Sequence, residues 1–277
     1  MKNWLITGVA GGLGKAIAAA ALARGDSVAG TVRSPAQLDA FESQAPGRAF
    51  AYVLDVRDEA ALHAAVASVE ARSGGIDVLV NNAGYGICGA VEETSLAEAR
   101  AQFEVNVFGP LAAAQAVLPA MRRRGAGRII NISSVSGVAT WAGTGIYCGS
   151  KHALEGIMQT LADEVAELGI KVINLEPGGM RTDYAGRSLQ RAERRIADYD
   201  GAARDAERTM TGHQGHEPGD PDKVAQVVLQ MADHDAPPLQ LLLGADALFY
   251  ATQRQARAQA DMGQWLATSM STACAAA

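Results

Sequence analysis

The chain has 277 residues, ample for one large domain built round a continuous hydrophobic core. Hydrophobic residues make up 48% and charged residues 19%, which excludes a disordered chain, while 24 basic and 30 acidic side chains leave a net charge of −6. With no basic block, that charge argues against nucleic acid or an anionic membrane surface as the main partner. The three cysteines, Cys88, Cys148 and Cys274, form no CxxC pair, so a disulfide framework or a cysteine zinc site is not expected and a reducing cytoplasm is the natural setting.

Met1-Lys2 and the apolar Trp4-Leu5-Ile6 faintly imitate a secretory leader, but glycines follow at once. No uncharged apolar run reaches the ~18 residues of a membrane span. Strands are predicted at 3–7, 27–32, 49–54, 76–81, 128–132, 170–175 and 239–243. Several are continuous apolar runs, such as Val78-Leu79-Val80 and Leu241-Leu242-Leu243, the pattern of strands buried on both faces of a parallel sheet. Helical periods separate them: one opens at Leu13, one runs from Leu96 to Arg124 with Leu96, Phe103, Val107, Leu111, Ala114, Leu118 and Met121 on one face, and one runs from Tyr147 to Leu168. Seven strands alternating with helices imply right-handed βαβ units and an α/β, doubly wound parallel sheet.

Residues 183–219 are the least strand-like part of the chain. Leu189, Ala192, Ile196 and Tyr199 read as the apolar stripe of a solvated helix packed on the body, or as part of a lid over a site. The chain from Thr268 onward is expected to fray. His213 and His216 form an HxxH pair with no third ligand and read as surface histidines.

The chemistry concentrates at predicted strand ends. Gly8, Gly11, Gly12 and Gly14 follow the first strand and open a helix at Leu13, so bare amides at a positive helix end can hold a pyrophosphate. Tyr147 and Lys151 stand four apart and share a helix face. A nearby ammonium is expected to lower the phenol's pKa and make Tyr147 a usable general acid/base. Ser134, ending the fifth strand, can hydrogen-bond a substrate oxygen; its competing reading is strand-end capping, and Ser133 competes for the substrate role. Pro110 denies the Asn106 carbonyl its i+4 donor, which frees that carbonyl for water or marks a kink. The second strand ends Thr31-Val32-Arg33-Ser34 with no acid to repel a 2′-phosphate, and Arg33 can contact one.

Together TGxxxGxG at Thr7–Gly14, Asn81-Asn82-Ala83-Gly84, Asn106, Asn131-Ile132-Ser133-Ser134, YxxxK at Tyr147–Lys151 and Pro177-Gly178-Gly179-Met180-Arg181-Thr182 resemble the short-chain dehydrogenase/reductase family. The resemblance covers the chain to about Ala247. It implies a single-domain Rossmann fold over 1–247, with 183–219 as substrate lid and 248–277 as a C-terminal helix and tail. It implies catalysis by Asn106, Ser134, Tyr147 and Lys151, with a proton relay from Tyr147 through a cofactor ribose and Lys151 to water on the Asn106 carbonyl. It implies NADP held by Gly8, Gly12, Leu13, Gly14, Arg33, Asp55, Val56, Asn82, Ala83, Gly84, Tyr147, Lys151, Pro177, Gly178, Met180 and Thr182. In this reading Asp55 binds the adenine amino group; the competing reading makes it a turn residue. One departure is Gly11, where some NADP-dependent members carry a basic residue.

Tyr85, Cys88, Val135, Trp141, Tyr184 and Leu189 are the candidate substrate wall, mostly apolar or aromatic, which favours a hydrophobic ketone or aldehyde and its alcohol. The alternatives are a non-catalytic dinucleotide-sensing regulator on the same fold and an acyl-type 3-ketoreductase. Epimerases and dehydratases of the superfamily usually carry TGxxGxxG and a longer C-terminal domain, neither of which is seen. No metal is expected, and the resemblance implies a homodimer or homotetramer through the helices at 96–124 and 147–168.

Overall fold

The computed structural model describes residues 1–274, the side chains of Ala185 and Arg187 excepted. Among the described residues are nine strands and eleven helices. The strands are β1 (Asn3–Ile6), β2 (Ser27–Val32), β3 (Ala49–Val53), β4 (Val78–Asn81), β5 (Gly86–Cys88), β6 (Gly127–Ile132), β7 (Ile170–Pro177), β8 (Leu189–Arg191) and β9 (Gln240–Leu243). The helices are α1 (Gly12–Ala23), α2 (Leu38–Glu42), α3 (Glu59–Ser73), α4 (Leu96–Phe103), α5 (Gly109–Arg124), α6 (Gly145–Val165), α7 (Tyr184–Arg187), α8 (Ala202–Gly212), α9 (Pro221–Asp233), α10 (Ala245–Gln264) and α11 (Leu266–Met270). Seven strands form one parallel sheet in the order β3-β2-β1-β4-β6-β7-β9, the doubly wound α/β fold.

Strand alternation divides the core. Trp4, Ile6, Val78, Val80, Ile130 and Ile173 turn to one face and pack against Ile17 of α1 and Val224 and Val228 of α9. Leu5, Leu79, Ile129 and Val172 turn to the other and meet Val66 of α3, Val117 of α5 and Met158 of α6. Both faces of the sheet are therefore covered, which is why the strands read as unbroken apolar runs. The chain turns outward in both directions from β1 and β4, and the crevice beyond their carboxyl ends is where such sheets take ligands.

The single helix expected from Leu96 to Arg124 is interrupted. A π turn spans Glu104–Phe108, and α5 restarts at Gly109-Pro110. Pro110 has no N–H with which to close the bond to the Asn106 carbonyl, so the helix widens there. Of the chain from Thr268 that is expected to fray, Thr268–Met270 complete α11, and residues 275–277 lie outside the described part.

The helix expected around Leu189–Tyr199 is not formed. Leu189–Arg191 instead pairs in parallel with Gly86–Cys88, and Ala197–Tyr199 makes a short 3-10 turn. The backbone groups of β5 gain partners in this pairing, and that tertiary contact overrides the local helical period. Further along, α8 is fastened to the body through Glu93, whose side chain is fully buried. Glu93 accepts from Ala90 N at 2.8 Å, from Ile196 N at 2.7 Å and from the Arg204 guanidinium of α8. Tyr199 Oη adds a bond to Glu92 at 2.7 Å, and Glu193 N one to Glu98 at 3.0 Å.

The Arg204 guanidinium holds the Glu93 carboxyl down to about 2. Its stabilising contribution is therefore complete above the ordinary value of 4.5 and is lost only as pH falls toward about 2. Glu93→Gln removes that buried counter-charge at neutral pH and should weaken the attachment by up to about 3–5 kcal/mol. Trypsin should then cut at the arginines between 191 and 208 at least about tenfold faster, with a lower Tm. Unchanged proteolysis and Tm would mean that strand pairing alone holds the segment.

Candidate active site

The glycine turn is built by close approach. Gly8 and Gly12 take φ of +77° and +55°, a region open to glycine. At Gly14 a Cβ would overlap both Gly8 O and the Asn82 amide. Asn82 Nδ2 donates to Thr7 O at 2.8 Å and Gly8 O at 3.1 Å, while Asn82 N and Ala83 N donate to Thr7 Oγ1 at 2.9 and 3.0 Å. The ends of β1 and β4 are thus stapled side by side. Gly8 N also donates to Thr31 Oγ1 at 2.9 Å, a support from β2 that sequence reading missed. Its only signal was a threonine in an apolar strand.

Across the crevice, Thr182 faces Gly12: a Cβ built there would stand 3.7 Å from Thr182 Cβ. A cleft of ≈480 Å³ opens at this edge, with Lys15, Arg181 and Thr182 in its wall. Gly178 N bonds Leu243 O at 2.9 Å and Gly179 N bonds Asp246 Oδ2 at 2.7 Å. The run Pro177–Thr182 is therefore tied to β9 and α10, and Asp246 gave no sequence signal. Met180, half-buried, pairs in backbone register with Gly219. Leu13 is buried in the core under the turn, and Val56 packs against Gly109.

Arg33 is exposed beyond β2 and its backbone N–H donates to Gln37 Oε1 at 3.2 Å. Its charge acts on Asp55. Asp55 is itself gripped by Arg57, at 3.0 Å from Nε and 2.6 Å from Nη2. That hydrogen-bonded pairing first, opposed by burial, holds the Asp55 carboxyl below its usual value. Asp55 is therefore at least a turn residue, and Arg57 is a second cation at this corner that sequence reading overlooked.

Tyr147 and Lys151 sit on the face of α6 that lies along the end of β6. Lys151 Nζ is buried, donates to Ile132 O at 2.9 Å and stands 6.0 Å from the Tyr147 ring centroid. It also lies 3.8 Å from where a Cβ on Gly84 would be. Burial brings the Lys151 ammonium down to about 8, with the Glu155 charge acting in opposition. The expectation that Lys151 lowers the Tyr147 pKa is not met in this ligand-free protein. Burial raises it, and the nearby Tyr184 and Ser134 hydroxyls only partly oppose that rise. Desolvation penalises the phenolate more than an ammonium tethered to a carbonyl relieves it.

Ser134 lies two residues past β6 and caps the 3-10 turn Val135–Gly137 rather than the strand, its Oγ accepting from Ser136 N at 3.0 Å. Ser133 Oγ, the competitor, is buried without a partner among the described residues and lies by Gly137 and Glu155. Asn106 is buried in the π turn. Its side chain bonds Tyr85 N at 3.2 Å, Tyr85 O at 2.9 Å and Ser150 Oγ at 3.1 Å. Its side chain is thus committed to holding Tyr85 and α6 in place.

The substrate-wall candidates divide in two. Tyr184, Leu189, Cys88 and Tyr85 gather around β5. Tyr184 and Tyr147 rings are 6.0 Å apart, and Tyr184 Oη, buried over Gly86, has no partner of regular geometry. Burial pushes the Cys88 thiol up to about 12, so it is an apolar wall rather than a nucleophile. Val135 and Trp141 instead join Ala247 in a separate apolar cluster, with Trp141 edge-on to Tyr250 at 5.2 Å.

Residues 2–193 match the family model for short chain dehydrogenases, and the chain belongs to this family. It is an oxidoreductase of a family that binds nicotinamide dinucleotides. Oxidoreductase BOA17 of Botryotinia fuckeliana is 39% identical over 98% of this chain and 99% of its own length. The NADPH-dependent 3-dehydrocapnine reductase of Ornithobacterium rhinotracheale is 36% identical over 68% of this chain and 69% of its own. A short-chain dehydrogenase structure from Streptomyces avermitilis superposes with a TM-score of 0.92 at 41% identity, covering 99% of this chain and all of that one. Among the described residues no helix is long and apolar enough to cross a membrane.

Proposed function

We propose that the protein is an NADP(H)-dependent carbonyl reductase that interconverts a hydrophobic ketone or aldehyde with its alcohol. The observation that carries this reading is the meeting of Tyr147, Ser134 and Lys151 at the end of β6, two strands from the β1 that leads into the glycine turn. The turn fits a dinucleotide: Gly12 leaves bare backbone in the wall of the cleft, opposite Thr182. When bound, the dinucleotide supplies the hydride; the remaining work falls to this chain.

Tyr147 would give its proton to the carbonyl oxygen. The raised pKa keeps the phenol protonated at neutral pH, which suits reduction. Because Ser134 Oγ accepts from Ser136 N, its own O–H remains available to donate to the same oxygen. Asn106 has its side chain engaged, so any relay role falls to its backbone carbonyl, which Pro110 cannot serve. Residues 183–219 act as lid in this reading, bringing Tyr184 and Leu189 over β5.

Arg33, with no acid at Val32, supports NADP over NAD, and a relative named as NADPH-dependent agrees. Arg57 stands at the same corner, its charge engaged by Asp55.

Tyr147→Phe should lower turnover at least about a hundredfold while NADPH affinity stays within about twofold. A ketone panel followed by NADPH absorbance measures this; retention of more than about a tenth of the rate contradicts the general-acid role. Arg33→Ala should lower kcat/KM for NADPH by about 10- to 150-fold, the worth of a charged hydrogen bond, and leave NADH within about twofold. A wild type that prefers NADH, or an equal loss for both cofactors, overturns the NADP assignment.

A further inference from the structure

Tyr147 and Lys151 have a third companion on their helix face. Glu155 lies one more turn along α6, and its residue is only 3% exposed. Buried carboxylates are rare without a partner that defines them. This one closes a row of amides laid across the sheet. Register pairs Asn81 with Asn131, Asn131 with Asn174, and Asn174 with Gln240. Asn81 Nδ2 donates to Asn131 Oδ1 at 2.8 Å, Asn131 Nδ2 to Asn174 Oδ1 at 2.9 Å, and Asn174 Nδ2 to Glu155 Oε2 at 2.7 Å. Each amide is turned by the one before it, so every donor points toward the carboxylate. Gln159 Nε2 at 3.0 Å and Gln240 Nε2 at 3.3 Å complete three amide donors on Glu155 Oε2.

A second buried carboxyl, Glu176 of β7, accepts from the same Gln240 nitrogen at 2.6 Å. Two carboxylates converging on one amide do not both ionise readily. Glu176 has one amide donor and Glu155 has three, so the amides favour a carboxylate at Glu155 over one at Glu176. Burial and the Glu155 charge raise Glu176 to about 7. The groups facing Glu155 are Lys151 and Gln159 on its own helix, Asn174 and Glu176 from β7, Gln240 from β9, and Ser133 at the end of β6.

We propose that Glu155 is a positioning residue, whose carboxylate, fixed by the amide row, keeps Lys151 an ammonium held against Ile132 O. Burial alone would drive that ammonium toward the neutral amine; the carboxylate one turn away counters it. What Lys151 then does in turnover rests on the carbonyl-reductase reading; its charge state does not.

The test is a titration of the ligand-free protein carrying ¹³C at the lysine ε-carbons. The chain has five lysines, and Lys151→Ala assigns the signal. Wild-type Lys151 should titrate near about 8. In Glu155→Gln it should bind its proton at least about threefold less tightly. Glu155→Asp should restore most of the loss, and Glu176→Gln, which keeps a neutral donor beside Glu155, should leave Lys151 within about 1.5-fold of wild type. The alkaline limb of kcat against pH should move to lower pH in Glu155→Gln alone. An unmoved lysine titration in a folded Glu155→Gln overturns the proposal.

If Glu155→Gln does not fold, the reciprocal measurement decides. The carboxyl transition that Glu176→Gln abolishes should move to higher pH in Lys151→Ala, and an unmoved transition overturns the proposal. Failure of every variant, wild type included, to reduce any carbonyl would remove the proposed reaction without altering either titration.

Discussion

Parallel, in-register pairing of β4, β6 and β7 is the constraint on which the rest of the site depends. It sets Asn81, Asn131 and Asn174 in one row on the α6 side of the sheet. It also ends β6 where Ile132 O can take Lys151 and where Ser134 can stand by Tyr147. A slip of one residue would turn every side chain of a strand to the opposite face. The amide row would then enter the apolar layer around Ile130 and Ile173, with its donors unpaired. The polar row thus works against misregister as well as for the carboxylate it reaches.

The 183–219 segment is attached by different means from the sheet that carries the glycine turn. The glycine turn, the β1–β4 staple and the α6 face are held by sheet backbone and by buried side chains. The 183–219 segment is held by three paired residues in β8, by the buried Glu93–Arg204 pair and by bonds at the rim. Among the described residues of the segment, Leu189 and Ala203 are the buried hydrophobic ones. Attachments of this kind can open as a unit while the sheet stays intact. Tyr184 lies in that segment with its hydroxyl buried beside Tyr147. Opening the segment would therefore expose the Tyr147–Lys151 face together with its aromatic cover.

The strands of the main sheet were legible because burial on both faces writes continuous apolar runs, and the site motifs because they fall at strand ends. The π turn was half legible: Pro110 announced a defect but not its form. β5 and β8 were not legible, since three-residue strands carry no period and their pairing is a tertiary event. The direction of the Tyr147 shift was misread because spacing shows that Lys151 shares its face but not that burial outweighs it. Arg57, Thr31 and Asp246 went unseen because each acts through one contact made across the fold. Glu155 stood on the Tyr147–Lys151 face throughout; the register of β6, β7 and β9 brings it Asn174 and Gln240 as partners.

The central claim is that one substrate oxygen is received jointly by Tyr147 and Ser134. A crystal structure with NADP and a bound hydrophobic ketone or its alcohol tests this most directly. The account predicts that oxygen within ~3 Å of both Tyr147 Oη and Ser134 Oγ, with Lys151 close behind Tyr147 on α6. An oxygen held instead by Ser133 or by Tyr184, with Tyr147 out of hydrogen-bonding reach, would contradict it.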